Sequence, residues 1–93
     1  MDFRRLFVEL MEAFLDGRLN RAAVELRMAR DVPIDAISGN QFDLLTNCEY
    51  ALRHINEAGY WTTELELRYY LDCLRGRKQF STAERNALLV KRD

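Results

Sequence analysis

Ninety-three residues, 48% hydrophobic and 31% charged, make one ordinary globular domain and exclude a disordered chain. Four glycines and one proline are too few for a fold of many tight turns, and a net charge of −1 gives no long-range pull on nucleic acid or anionic membranes. A chain of this size buries roughly 60–65% of its unfolded surface, enough for one core without metal or disulfide support.

The start of the chain, Met1-Asp2-Phe3-Arg4-Arg5, runs directly into an amphipathic pattern with Glu9 and Glu12 and does not resemble a signal peptide. No stretch approaches the roughly 20 apolar residues of a membrane span, so a soluble, cytoplasmic protein is expected. Segment 2–16 spaces Phe3, Leu6, Phe7, Leu10, Met11, Phe14 and Leu15 as one face of a helix, which Gly17 ends. Asn20 caps a second helix, Leu19 and Val24 form its hydrophobic staple, and Asp31-Val32-Pro33 stops it near Arg30.

After a connector over 31–37, Ser38 and Gln41 have the spacing of a capping box, with Ile37 and Phe42 as the accompanying staple. This third helix is expected to turn Phe42, Leu45, Cys48, Leu52 and Ile55 inward and to end at Gly59. Thr63 and Glu66 cap a fourth helix carrying Leu67, Tyr70, Leu71 and Leu74 to Gly76. Leu65, Leu67, Tyr69 and Leu71 also alternate as in a strand, but a lone strand has no partner in this chain. Ser81 and Glu84 cap a short last helix with Ala83, Ala87, Leu88 and Val90. The expectation is an all-α fold: residues 1–93 as a single domain, a small antiparallel bundle of four to five helices.

Chemistry is hard to find along this chain. His54 is its only histidine and lies off the inward face of the third helix. Cys48 and Cys73 sit in helical patterns as buried apolar residues, and with His54 they do not supply the ligands of a zinc site. Neither GxxxxGK[ST] nor GxGxxG occurs. The reading is a non-enzyme with no metal and no cofactor.

Charge is distributed unevenly. Residues 67–93 carry Arg68, Arg75, Arg77, Lys78, Arg85, Lys91 and Arg92 against Asp72, Glu84 and Asp93, a balance of +4 that could meet phosphate around Arg75-Gly76-Arg77-Lys78. Residues 32–66 carry Asp35, Asp43, Glu49, Glu57, Glu64 and Glu66 against Arg53 alone, a balance of −5. On a helical wheel Asp43, Tyr50 and Glu57 share one outward stripe, opposite Leu45, Cys48, Leu52 and Ile55. A tyrosine between carboxylates suits a binding face for a basic partner. The competing reading is an ordinary wet face with Glu49–Arg53 and Arg53–Glu57 ion pairs. Tyr60-Trp61 is open in the same way, as a lid on the core or as an exposed anchor.

Phe14-Leu15-Asp16-Gly17-Arg18-Leu19-Asn20, the acidic middle, Glu57-Ala58-Gly59-Tyr60 and Glu64-Leu65-Glu66-Leu67 give the chain a resemblance over residues 3–75. It resembles the small helical immunity proteins of the colicin D and contact-dependent growth inhibition type. That resemblance implies an antitoxin-like protein that neutralises the nuclease domain of a cognate toxin, its carboxylates occupying a basic groove meant for RNA phosphates. The contact residues it points to are Asp43, Tyr50, Glu57, Glu64 and Glu66, with Trp61 as a further anchor. The partner is then a basic protein surface, not nucleic acid or membrane, and the chain a monomer in a 1:1 complex or a weak dimer. The alternatives are a small regulatory nucleic-acid binder using Arg75, Arg77, Lys78 and the arginines of the second helix (Arg21, Arg27 and Arg30), and a self-associating structural or adaptor domain with Tyr60, Trp61 and the other tyrosines at its seam.

Overall fold

The computed structural model describes residues 2–37, 39–40, 42–58 and 62–90, with five helices and no strand among them. They are α1 (Phe3–Leu15), α2 (Arg21–Asp31), α3 (Leu44–Arg53), α4 (Glu64–Leu74) and α5 (Thr82–Val90). Helices α1, α3 and α4 pack on one another, α2 closes over α1 and α3, and α5 lies against α4. The result is a small helical bundle with a radius of gyration of 12.2 Å.

Helices α1, α2, α4 and α5 start where a side chain takes up an orphan amide. Asp2 accepts from the Arg5 N–H at 3.1 Å, Asn20 from Ala23 at 2.8 Å, Thr63 from Glu66 at 3.2 Å and Ser81 from Glu84 at 3.4 Å. The ends of α1 and α4 share one device. Gly17, at φ 78°, donates to the Phe14 carbonyl while Arg18 donates to Ala13; Gly76, at φ 76°, donates to Cys73 while Arg77 donates to Asp72. A Cβ at Gly17 would meet no atom within 4 Å, so only the left-handed backbone opposes one. Gly17→Ala should therefore cost about 1–2 kcal/mol in urea unfolding, with the core unchanged.

The core gathers Phe7, Leu10 and Met11 of α1, Val24 and Met28 of α2, Cys48 and Leu52 of α3, and Leu67 and Tyr70 of α4. Both cysteines are buried free thiols, and desolvation raises the pKa of each. The alternating pattern at 64–71 folds as helix: Leu67, Tyr69, Tyr70 and Leu71 are buried, whereas Leu65 is 58% exposed. Helix α5 is docked, since the Tyr69 hydroxyl donates to the Ser81 carbonyl at 3.2 Å and accepts from the Ser81 N–H at 2.7 Å.

Three arginines tie separate parts of the chain through carbonyl oxygens. Arg4 donates to Leu74 at 2.6 Å, Arg21 to Ile55 at 2.8 Å and Arg53 to Val32 at 3.3 Å.

The third helix is shorter than its sequence suggests. Ser38 and Gln41, the expected capping box, lie outside the described residues, but Gly39 (φ 76°) and Asn40 stand before the helix rather than in it. The Asn40 side chain accepts from the Phe42 N–H at 2.9 Å, a local bond that competes with helix, and α3 begins only after Asp43. Phe42 is consequently 67% exposed and does not join the core. At the other end α3 stops at Arg53, and its continuation is a run of turns bonded Ile55 to Leu52 and Glu57 to His54. Arg21 holds the Ile55 carbonyl there, so Ile55 is fully buried without belonging to the helix.

Candidate protein-binding face

The surface formed by α3 and the turns after it holds Asp43, Tyr50 and Glu57, three of the six residues singled out for partner contact. Asp43 is the exposed N-cap of α3, and its carboxylate makes no capping hydrogen bond. Tyr50, two turns further along α3, is 53% exposed. Its ring packs on the His54 imidazole with centroids 4.4 Å apart and planes inclined at 48°. His54 Nδ1 in turn meets the Glu57 carboxylate. Tyr50, His54 and Glu57 thus form one continuous run, although Glu57 reaches it from a turn and not from the helical stripe.

Other acidic residues are placed differently. Glu49 is bound by Arg53 at 2.7 Å, so that pair is internal to α3 and largely withdrawn from solvent. The expected Arg53–Glu57 pair is absent, because the helix ends before Glu57 and His54 takes its place. Glu64 is exposed on the first turn of α4, 4.0 Å from Arg68, and its charge also acts on Arg21. Burial pulls the Arg21 guanidinium below its usual pKa, and Glu64 opposes that shift. Glu66 does not reach the surface: it is 1% exposed and accepts a hydrogen bond from the Tyr70 hydroxyl at 3.2 Å. Its side chain follows the same inward face as Leu67 and Tyr70, which removes it from any rigid contact surface. Trp61, with Tyr60, lies outside the described residues.

The basic cluster near the end of the chain is engaged by carboxylates. Arg75 pairs with Glu12, Arg77 lies 3.8 Å from Asp72, and Lys78 lies 3.5 Å from Glu84 and 5.7 Å above the Tyr69 ring. Three arginines of α2 and the turn before it are held similarly: Arg18 by Asp16, and Arg27 and Arg30 both by Asp31. Hydrogen bonds from Arg30 and then Arg27 lower the Asp31 carboxyl from its usual 3.8 to about 2. A carboxyl lowered in the folded state stabilises the fold above its unfolded pKa, and this contribution disappears as pH falls through the folded value. Stability curves of the native chain and Asp31→Asn should therefore separate above about pH 4 and converge toward pH 2. Urea unfolding at stepped pH checks this.

Among the described residues no three His, Cys, Asp or Glu side chains gather as a cation site, and no helix is long and apolar enough to cross a membrane. Sequence reasoning missed two features that the fold brings out: the Tyr50–His54 stack, readable in principle from its i,i+4 spacing, and the link from Asn47 to Arg85. Asn47 lies on the inward side of α3, 6% exposed, and a buried amide needs partners from elsewhere in the fold.

No family model matches this chain, and no curated protein or solved structure matches it either.

Proposed function

We propose that this chain works by binding another protein, as an immunity-type inhibitor that neutralises a cognate nuclease toxin by covering its basic active-site surface. The observation that carries the reading is the half-exposed Tyr50 ring, backed by His54 and running into Glu57, with the Asp43 carboxylate at the other end of α3. Such a ring supplies apolar contact area at small entropic cost, and the surrounding carboxylates steer and orient a cationic partner. A nuclease must present positive charge where phosphates lie, so an acidic face occupying that surface excludes the substrate. The mechanism is steric and electrostatic, without bond chemistry.

The nucleic-acid reading is weaker on the same grounds. Arg75, Arg77 and Lys78 each have a carboxylate within 4.0 Å that phosphate would have to displace.

The test is capture from native lysate with the tagged full chain, at low and at high salt, followed by mass identification. The expected result is one basic nuclease domain in a 1:1 complex that weakens as salt rises. Recovery of the chain alone, or only as a dimer, would remove the support for an inhibitor. Salt-labile recovery of nucleic acid would replace it with the regulatory reading.

A further inference from the structure

Arg85 reaches across the bundle to a side-chain amide, where Arg4 and Arg21 reach backbone carbonyls. It projects from α5, is partly buried, and sends its guanidinium to α3, where Nη1 donates to Asn47 Oδ1 at 2.6 Å. Nη2 donates to Asn86 Oδ1 at 3.0 Å. Both partners are neutral amides, and among the described residues Arg85 joins no ion pair. Its Nε–H is buried with no acceptor, and so is the Thr46 hydroxyl. Both residues line the same cavity of about 270 Å³, together with Gly39, Asn47 and Tyr50.

A guanidinium partly withdrawn from water without a counter-charge is costly, and each buried donor left unpaired adds to that cost. Two such donors lining one cavity rarely coincide without an acceptor to serve them. An anionic acceptor would satisfy these donors and also supply the counter-charge that the two amide oxygens do not. It must also be small, because the cavity falls below the usual range of sites for drug-sized ligands. A planar carboxylate offers two oxygens to a guanidinium edge and a neighbouring hydroxyl, and the Tyr50 ring gives its carbon stem an apolar wall.

We infer that the cavity between α3 and α5 is a binding site for a single carboxylate group, with Arg85 supplying the charge and Thr46 a second donor. The site borders the proposed toxin contact at Tyr50 but does not depend on that reading. The ligand comes either from a free small acid or from an acidic side chain of a partner, and both carry the same recognising group.

The experiment is NMR titration of the full chain, following the Arg85 Nε–Hε and Thr46 amide signals. The probes are sodium acetate, the side-chain mimic N-acetylglutamate α-amide and inorganic phosphate, each compared with sodium chloride at equal ionic strength. A saturable shift in the millimolar range with either carboxylate, beyond that of chloride, is expected. Stronger response to acetate identifies a free acid as the ligand type; stronger response to the mimic identifies a side chain. Arg85→Gln should weaken binding at least about tenfold. Thr46→Val, which keeps the side-chain shape, should weaken it severalfold with an otherwise unchanged spectrum, separating loss of the site from loss of the fold. Shifts equal to those of chloride, a response to phosphate alone, or undiminished binding in Arg85→Gln would each overturn the inference.

Discussion

Phe7→Ala is expected to lose about 3–5 kcal/mol of stability, the largest single effect that a substitution in α1 should produce. Phe7 has no exposed surface, and α1 packs against α2, α3 and α4, so the void opens at the centre of the bundle. Domains of this length are stable by roughly 5–14 kcal/mol, so the change consumes about a fifth of the total or more. The urea midpoint should fall sharply while the slope of the transition is retained, because the same surface is exposed on unfolding. Phe3 lies 6.3 Å from Phe7 between ring centroids but is only partly buried. Phe3→Ala should cost clearly less, because solvent already reaches that ring. Equal losses at the two positions would mean that the core is centred elsewhere.

Such a core is legible in the apolar spacing of α1 and α4, and the helix ends are legible in Gly17, Asn20, Thr63 and Ser81. These signals are local: a cap or a left-handed glycine acts within one helical turn. The third helix is harder to read because one of its limits depends on a distant residue and the other on a side-chain bond that competes with the cap. Arg21, 34 residues away from Ile55 in the chain, holds a carbonyl just past the helix, and the Asn40 side chain offers the backbone a turn instead of a capping box. Neither competition appears in the hydrophobic period.

The acidic character of residues 32–66 is equally plain, but composition does not tell a surface carboxylate from an internal one. Glu49 faces Arg53, Glu66 is buried beside Tyr70, and Asp43, Glu57 and Glu64 stay outside. The Arg85 cavity is not legible at all, because it joins α3 to α5 across 38 residues of sequence through one side chain.

For the proposed inhibitor, Tyr50→Ala should weaken the complex by about 2 kcal/mol or more, roughly 30-fold, with a loss nearly independent of salt. Tyr50 is half-exposed in the free protein, so its truncation should lower thermal stability far less than Phe7→Ala does. The double substitution Asp43→Lys with Glu57→Lys should act differently. It reverses two exposed charges, slows association with a basic partner and weakens binding by about two orders of magnitude at low salt, an effect that fades as ionic strength rises. Glu66→Gln supplies the contrast: at 1% exposure this side chain cannot enter a rigid interface, so its effect should fall on stability and not on affinity. Calorimetric titration against the captured partner at two salt concentrations separates these outcomes. If Glu66→Gln alone weakened binding while Tyr50→Ala did not, the contact surface would lie off α3, and complex formation would require opening the buried side of α4. If instead only the charge-reversed pair mattered, the face would act as an electrostatic guide for a contact made elsewhere on the bundle.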